Sequence, residues 1–291
     1  MINDSLLIRY ILSFAVGSLW VTFVTVIAER SDSAVGGILG GLPSTSAFSF
    51  LFIGLNQSSS AAVQATTVFP LVFSFTSAFL LFYAFFARKG FTVGFTVSLL
   101  IWFLVSGIIV LSGLKNFAFC LGGGVLVSAV VYYIFAKRLN LEKLTGKKRP
   151  YTPVQILGRA IGAGSLVFLA VLLSQIGGPI IGGIASAFPA IFSSTLIILY
   201  KSEGTEFSRA MTKPLVTSGI LTCIPYDVAV RYLYPSIGIW LGTLSSYAII
   251  APLAVLSYFI LQPKRTQNQK EARAGHQKLL ESIAISKLDY T

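Results

Sequence analysis

Nine stretches of this chain are apolar enough and long enough to cross a lipid bilayer as helices: roughly 6–28, 34–55, 63–87, 91–113, 116–136, 154–175, 178–200, 210–229 and 236–261. A helix needs about 20 such residues to span the hydrocarbon core. Water is absent there, so backbone amides must bond within helices or within a closed barrel. A barrel would read as segments of about 10 residues in strict alternation, and this chain has none. An all-α polytopic membrane protein is therefore expected. Only 11% of the residues are charged, where soluble domains carry about 25%. The first run contains Arg9 and Trp20 and lacks a small-residue cleavage site. It reads as a retained helix, not a signal peptide.

The formal net charge is +12. A basic chain can point to nucleic acid, but here the positive charge sits in loops and tail and not on one folded face. Topology accounts for it instead. If the long connection 137–152, "KRLNLEKLTGKKRPYT", is cytoplasmic, every Lys and Arg except Arg9, Lys115 and Arg231 falls on that side. The positive-inside rule then puts the N-terminus outside and the C-terminus inside. A multi-pass protein of the cytoplasmic membrane is expected, with the lipid bilayer as a partner and no nucleic acid.

Three anchors recur in order. Arg9-x-Ile11 matches Arg159-x-Ile161, "GGILGGLP" at 36–43 matches "GGIASAFP" at 182–189, and "PLV" at 70–72 matches "PLV" at 214–216. The spacings between anchors are 34 and 27 residues in the first half, and 30 and 25 in the second. Ordered matches at near-equal spacing are the mark of an internal duplication. The expected organisation is a four-helix repeat over 1–113, a linking helix over 114–136, the basic loop 137–152, a second four-helix repeat over 153–261, and a polar tail from 262 to 291. Four spans return the chain to its starting side, and one more inverts the second repeat. The expectation is nine helices in a 4+1+4 plan of inverted repeats, a layout used by secondary transporters with the site at the midplane.

Proline inside a membrane run interrupts the helix, and a helix restarting there points free N–H groups and about half a positive charge at what lies before it. The candidate solute-binding residues are therefore Pro43 with Ser44, Thr45 and Ser46, and Pro189 with Ser193, Ser194 and Thr195. Gln64 and Lys213, ahead of Pro70 and Pro214, complete the set. The competing reading makes the glycines packing faces and the prolines kinks. Arg9 and Arg159 read as interface anchors or as a pair of anion-attracting gates. Glu29 reads as capping its helix beside Arg30. Asp227 and Arg231 are spaced to form an i,i+4 pair.

The only histidine, His276, is in the tail, and Cys120 and Cys223 lie inside apolar runs. No metal site, cofactor or catalytic residue is expected, nor a nucleotide-binding loop. The chain is not expected to be an enzyme. A homo-oligomer is compatible with all of this.

The "AER" that ends the first span, followed closely by "GGILGGLP", resembles the GlpM-type family of small bacterial membrane proteins, and "GGPIIGGIASAFP" in the second half is faintly similar. The resemblance covers about 60 residues of the first half. Members are about the size of one half of this chain, so the resemblance implies two fused copies. It carries no activity with it. The layout also resembles fused dual-topology fluoride channels, without their phenylalanine and asparagine pore motifs.

The expected function is transport or facilitated passage of a small solute, anionic more readily than cationic. An ion channel or lipid scramblase on the same scaffold, or a non-transporting accessory protein docking through its basic loop and tail, are the alternatives.

Overall fold

The computed structural model describes residues 4–30, 42–139, 141 and 152–261. Among these residues every regular element is a helix. In chain order they are α1 (Asp4–Arg30), α2 (Ser44–Asn56), α3 (Ser59–Ala65), α4 (Phe69–Phe86), α5 (Phe91–Ser112), α6 (Phe117–Lys137), α7 (Pro153–Gly177), α8 (Pro179–Ser186), α9 (Ala190–Glu203), α10 (Thr205–Ala210), α11 (Thr212–Ile237) and α12 (Ile239–Leu261). A short 3-10 turn, Ala87–Lys89, joins α4 to α5. Residues up to Tyr258 form one compact unit.

Seven segments among the described residues are long and apolar enough to cross a membrane, the broken pair α8–α9 counting as one of them. Two expected spans do not qualify. The span at 34–55 falls partly on residues 31–41, outside the described residues, and continues as the 13-residue α2. The span at 210–229 is a long helix, α11, carrying Lys213, Asp227 and Arg231. The expected run at 63–87 is divided between α3 and α4, and the run at 178–200 is cut at Pro189. The 137–152 loop and the tail lie almost wholly outside the described residues.

Burial sorts the helices. Over an 18-residue apolar window of each helix, 72% of residues are buried in the α4 span, against 22% in α6 and 28% in α5. A helix apolar all round and buried all round belongs at the centre of a bundle; α4 packs on α5, α6 and α11. Exposed Leu100, Phe103, Leu104, Leu111, Phe119 and Leu126 put the outer faces of α5 and α6 toward lipid.

Within lipid, close backbone approach supplies much of what apolar burial supplies in water. At the seam of α1 with α7, a Cβ on Gly164 would meet Phe14 O at 2.6 Å. At that of α4 with α6, a Cβ on Gly124 would meet Pro70 O at 2.5 Å, and at that of α3 with α8, one on Gly183 would meet Ala65 O at 1.9 Å. The second glycine of "GGIASAFP" thus lets α8 lie directly against α3, next to the break at Pro189.

Candidate functional site

Pro43 and Pro189 end up in nearly the same backbone conformation. Pro43 has φ −74° and ψ 55°, and Pro189 has φ −74° and ψ 44°. Each is the last residue before a helix begins. In both breaks the next amide turns back two residues, Ser44 N–H to Leu42 O at 2.7 Å and Ala190 N–H to Phe188 O at 2.8 Å. In both, the proline carbonyl then accepts the first helical bond, from Ala47 N–H at 2.9 Å and from Ser193 N–H at 2.8 Å.

The two breaks line one cavity of about 40 Å³, whose walls include Pro43, Ser44, Thr45 and Ser46 from one break and Phe188, Pro189, Ile191 and Phe192 from the other. That volume holds about three waters, so it suits a solute of few atoms. Phe69, Phe73 and Thr76 of α4, Ser186 of α8 and Cys223 of α11 complete the lining. No charged side chain is among the lining residues. What polarises the cavity is therefore its hydroxyls and the first-turn amides of α2 and α9, which have no helical acceptor.

One hydrogen-bond chain fixes the far wall. Trp102 Nε1 of α5 donates to Thr76 Oγ1 at 2.9 Å, and Thr76 Oγ1 donates to Ala187 O at 2.6 Å. Ala187 caps α8, and carbonyls at a helix end lack partners within the helix. Phe188 then rests edge-on against the Trp102 ring, centroids 5.2 Å apart. The interruption at Pro189 is thereby tied to the central helix.

Of the ten sequence-derived candidates, the structure gathers Pro43, Ser44, Thr45, Ser46 and Pro189 around this cavity. Gln64 is exposed on α3. Ser193 is buried one residue beyond the cavity wall, Thr195 is half-buried, and neither lines it. Ser194 donates to Ile191 O and lines a second, smaller cavity with Arg159, Ala190 and Ile191. Lys213 is half-buried near the start of α11 and does not reach the cavity.

Arg9 and Arg159, matched in sequence, part company in space. Arg9 Nη1 reaches Leu55 O at 3.4 Å at an exposed site, whereas Arg159 sits beside the start of α9, with Ile191 between it and the main cavity. The side chain of Glu29 and residues 36–41 of "GGILGGLP" lie outside the described residues.

The i,i+4 pair expected of Asp227 and Arg231 does not form. Arg231 Nη1 donates to Val63 O at 3.1 Å, Thr66 Oγ1 at 3.1 Å and Thr67 Oγ1 at 3.3 Å. Its guanidinium lies 4.1 Å from the centre of the Phe117 ring. A fork of donors finds more acceptors at the end of α3 than one carboxylate on its own helix would offer. Asp227 is left fully buried, and neither carboxylate oxygen has a hydrogen-bond partner among the described residues.

Sequence reading missed Thr76, Ser186 and Cys223 as cavity residues. Hydroxyls inside an apolar helix ordinarily bond back to a carbonyl of the preceding turn, as Ser186 does to Gly183 O, so nothing in the sequence set these apart. Among the described residues no group of three His, Cys, Asp or Glu comes together that could hold a metal ion.

The fold and site define an all-helical membrane protein with a small cavity, part hydroxyl and part apolar, between the starts of two helices. No protein-family model, no curated protein and no solved structure matches the chain.

Proposed function

We propose that this protein is a secondary transporter or facilitator for a small anion, and that the cavity between the Pro43 and Pro189 breaks is its site. The observation that carries the reading is that two helices, each opened by a proline of the same backbone conformation, begin at one cavity. Two helix N-termini aimed at one uncharged, hydroxyl-lined space favour a negative solute. Its volume favours a small one.

The 4+1+4 plan of inverted repeats belongs to the same reading. It is supported by the order of elements after each break: a helix of 13 or 14 residues, then one of seven or six, then a long helix, then a second long helix entered through a glycine. Elements that correspond in this way also pack on each other, α1 on α7 and α4 on α11, as elements beside a twofold axis between the halves would. α6 is the unmatched linker. In this proposal α2 with the residues before it and α11 supply the eighth and ninth spans. The N-terminus lies outside and the C-terminus in the cytoplasm, and one half rocks on the other to give alternating access.

The test starts with purified protein and a thermal-stability panel of chloride, nitrate, formate, acetate, bicarbonate and phosphate. An anion at 100 times its dissociation constant adds about 2.7 kcal/mol of stability. The anion that binds is then followed into proteoliposomes. Saturable uptake is expected, and it should be lost in Pro43→Ala with Pro189→Ala while the double variant still folds. Full uptake by a folded double variant removes the reading. Uptake without saturation, or lipid flipping without uptake, replaces it with a channel or a scramblase.

A further inference from the structure

We propose that Asp227 is a proton-carrying site and that it couples anion passage through the neighbouring cavity to the movement of a proton. This rests on the transport reading above for the coupling, though not for the proton site itself.

Asp227 of α11 is fully buried, with both carboxyl oxygens unpartnered among the described residues. Arg231, one turn further along α11, directs its guanidinium to Val63, Thr66, Thr67 and Phe117. The elements packed on this helix offer no other charge nearby. From Ser44 to Phe86, covering α2, α3 and α4, the chain has no Asp, Glu, Lys, Arg or His, and α12 has none either. α6 carries only Lys137, at its last residue. Lys213 and the bonded pair Glu206–Arg209 stand at the opposite end of α11, roughly four turns away. The remaining titratable side chains are Cys223, Tyr226, Tyr232 and Tyr234 on α11 itself, Tyr83 on α4, Cys120, Tyr132 and Tyr133 on α6, and Tyr247 and Tyr258 on α12.

An ionised carboxyl group that is buried, unbonded and unpaired is among the most costly arrangements a membrane interior can hold. A proton on the oxygen removes that cost without further ligands. A metal cation would need a shell of oxygen donors, and Arg231 one turn away opposes a second fixed positive charge. The carboxyl group is therefore built to carry a proton.

Its place supplies the coupling. Cys223 lines the cavity, and Asp227 follows it at i+4, on the same face of α11 and roughly 6 Å along the axis. An anion in the cavity and a negative Asp227 repel each other. Anion and proton therefore load together, the proton arriving from water on one side to form the O–H bond. When the site opens to the other side the O–H bond breaks, the proton passes to water there, and the restored carboxylate expels the anion.

The first measurement is infrared spectroscopy of the full chain in lipid nanodiscs, in a background where Asp4, Asp32 and Asp289 are asparagine, so that Asp227 is the sole aspartate. The expected result is a protonated-carboxyl C=O band at neutral pH that shifts with 13C-aspartate and is absent from Asp227→Asn. Because the isotope shift is read with Asp227 in place, a misfolded Asp227→Asn leaves the test intact. Absence of an isotope-shifted band at neutral pH overturns the proposal. The second measurement is the pH dependence of binding for whichever panel anion stabilises the protein. Its dissociation constant should rise about tenfold per pH unit across the range where the band bleaches, and a flat profile overturns the coupling. A band with no anion binding defeats the transport reading and leaves the proton site standing. Anion binding with no band does the reverse.

Discussion

After Pro43 a helix begins on Ser44, Thr45 and Ser46; after Pro189 one begins on Ala190, Ile191 and Phe192. The two backbones turn alike, yet one presents three hydroxyls and the other a methyl, a branched aliphatic and a ring. The long helices beyond them diverge in the same way. α4 has no charged residue, whereas α11 carries Lys213, Asp227 and Arg231. Repetition of the backbone makes the cavity, and divergence of the side chains gives it a polar wall and an apolar one. A solute held there would meet the hydroxyls of Ser44, Thr45, Ser46 and Thr76 from the first half, and Ser186, Cys223 and the apolar side chains of Phe188, Ile191 and Phe192 from the second. Substitutions that probe backbone should therefore behave alike in the two halves, and those that probe side chains should not.

The largest effect is expected at the seam of α3 with α8. A Cβ on Gly183 would stand 1.9 Å from the backbone oxygen of Ala65, which cannot yield by a rotamer change. Gly183→Ala should cost about 3 kcal/mol or more, read as a lower melting temperature and loss of folded yield. Gly162→Ala is the control, since nothing lies within 4 Å of its added Cβ and alanine favours the helix by about 1 kcal/mol. Gly37 matches Gly183 in the repeated "GGI" but lies outside the described residues. An equal loss from Gly37→Ala would extend the likeness of the two breaks to their approaches, and no loss would confine it to the prolines.

Next comes a pair of threonines, one on each of the long helices α4 and α11. Thr76 receives Trp102 Nε1 and donates to Ala187 O. Thr222 donates to Ser218 O on its own helix. Thr76→Val should cost about 2 kcal/mol, because two buried groups lose a partner, and the loss at Thr222→Val measures whether its counterpart position carries as much. Thermal melts of the two variants in the same detergent decide it. Equal losses would mean that the side-chain asymmetry carries no energetic weight at the far wall.

The sequence revealed the interruptions and misjudged their surroundings. Glycine and proline act on the backbone, and backbone consequences are local, so Pro43 and Pro189 were readable from the chain alone. Ser44, Thr45 and Ser46 were readable too, because they come directly after their proline. Ser193, Ser194 and Thr195 were chosen to match them but begin four residues after Pro189. At 3.6 residues per turn they belong to the next turn, and Ile191 and Phe192 of the first turn face the cavity instead. A hydropathy window also runs over a break of three residues, which merged α8 with α9. The Asp227–Arg231 spacing was right for a pair, but an arginine can reach a neighbouring element, and no spacing rule on one helix reveals that Thr66 and Thr67 wait there.

The smallest effect gives the cleanest test of the shared backbone. Gly90 opens α5 with φ 116° and ψ 153°, and Gly238 opens α12 with φ 82° and ψ 171°. Both fall in the positive-φ, extended region that only glycine occupies cheaply. A Cβ added at either would touch nothing within 4 Å, so no lost contact or steric clash with a neighbour enters the comparison. Gly90→Ala and Gly238→Ala should each cost about 1 kcal/mol through backbone strain. The two losses, measured by thermal or denaturant unfolding, should agree within about 0.5 kcal/mol. Agreement would show the corresponding corners of the two halves to be equivalent in energy as well as in angle. A large loss at one with none at the other would mean that one corner relaxes freely, and the likeness of the halves would then end at the cavity.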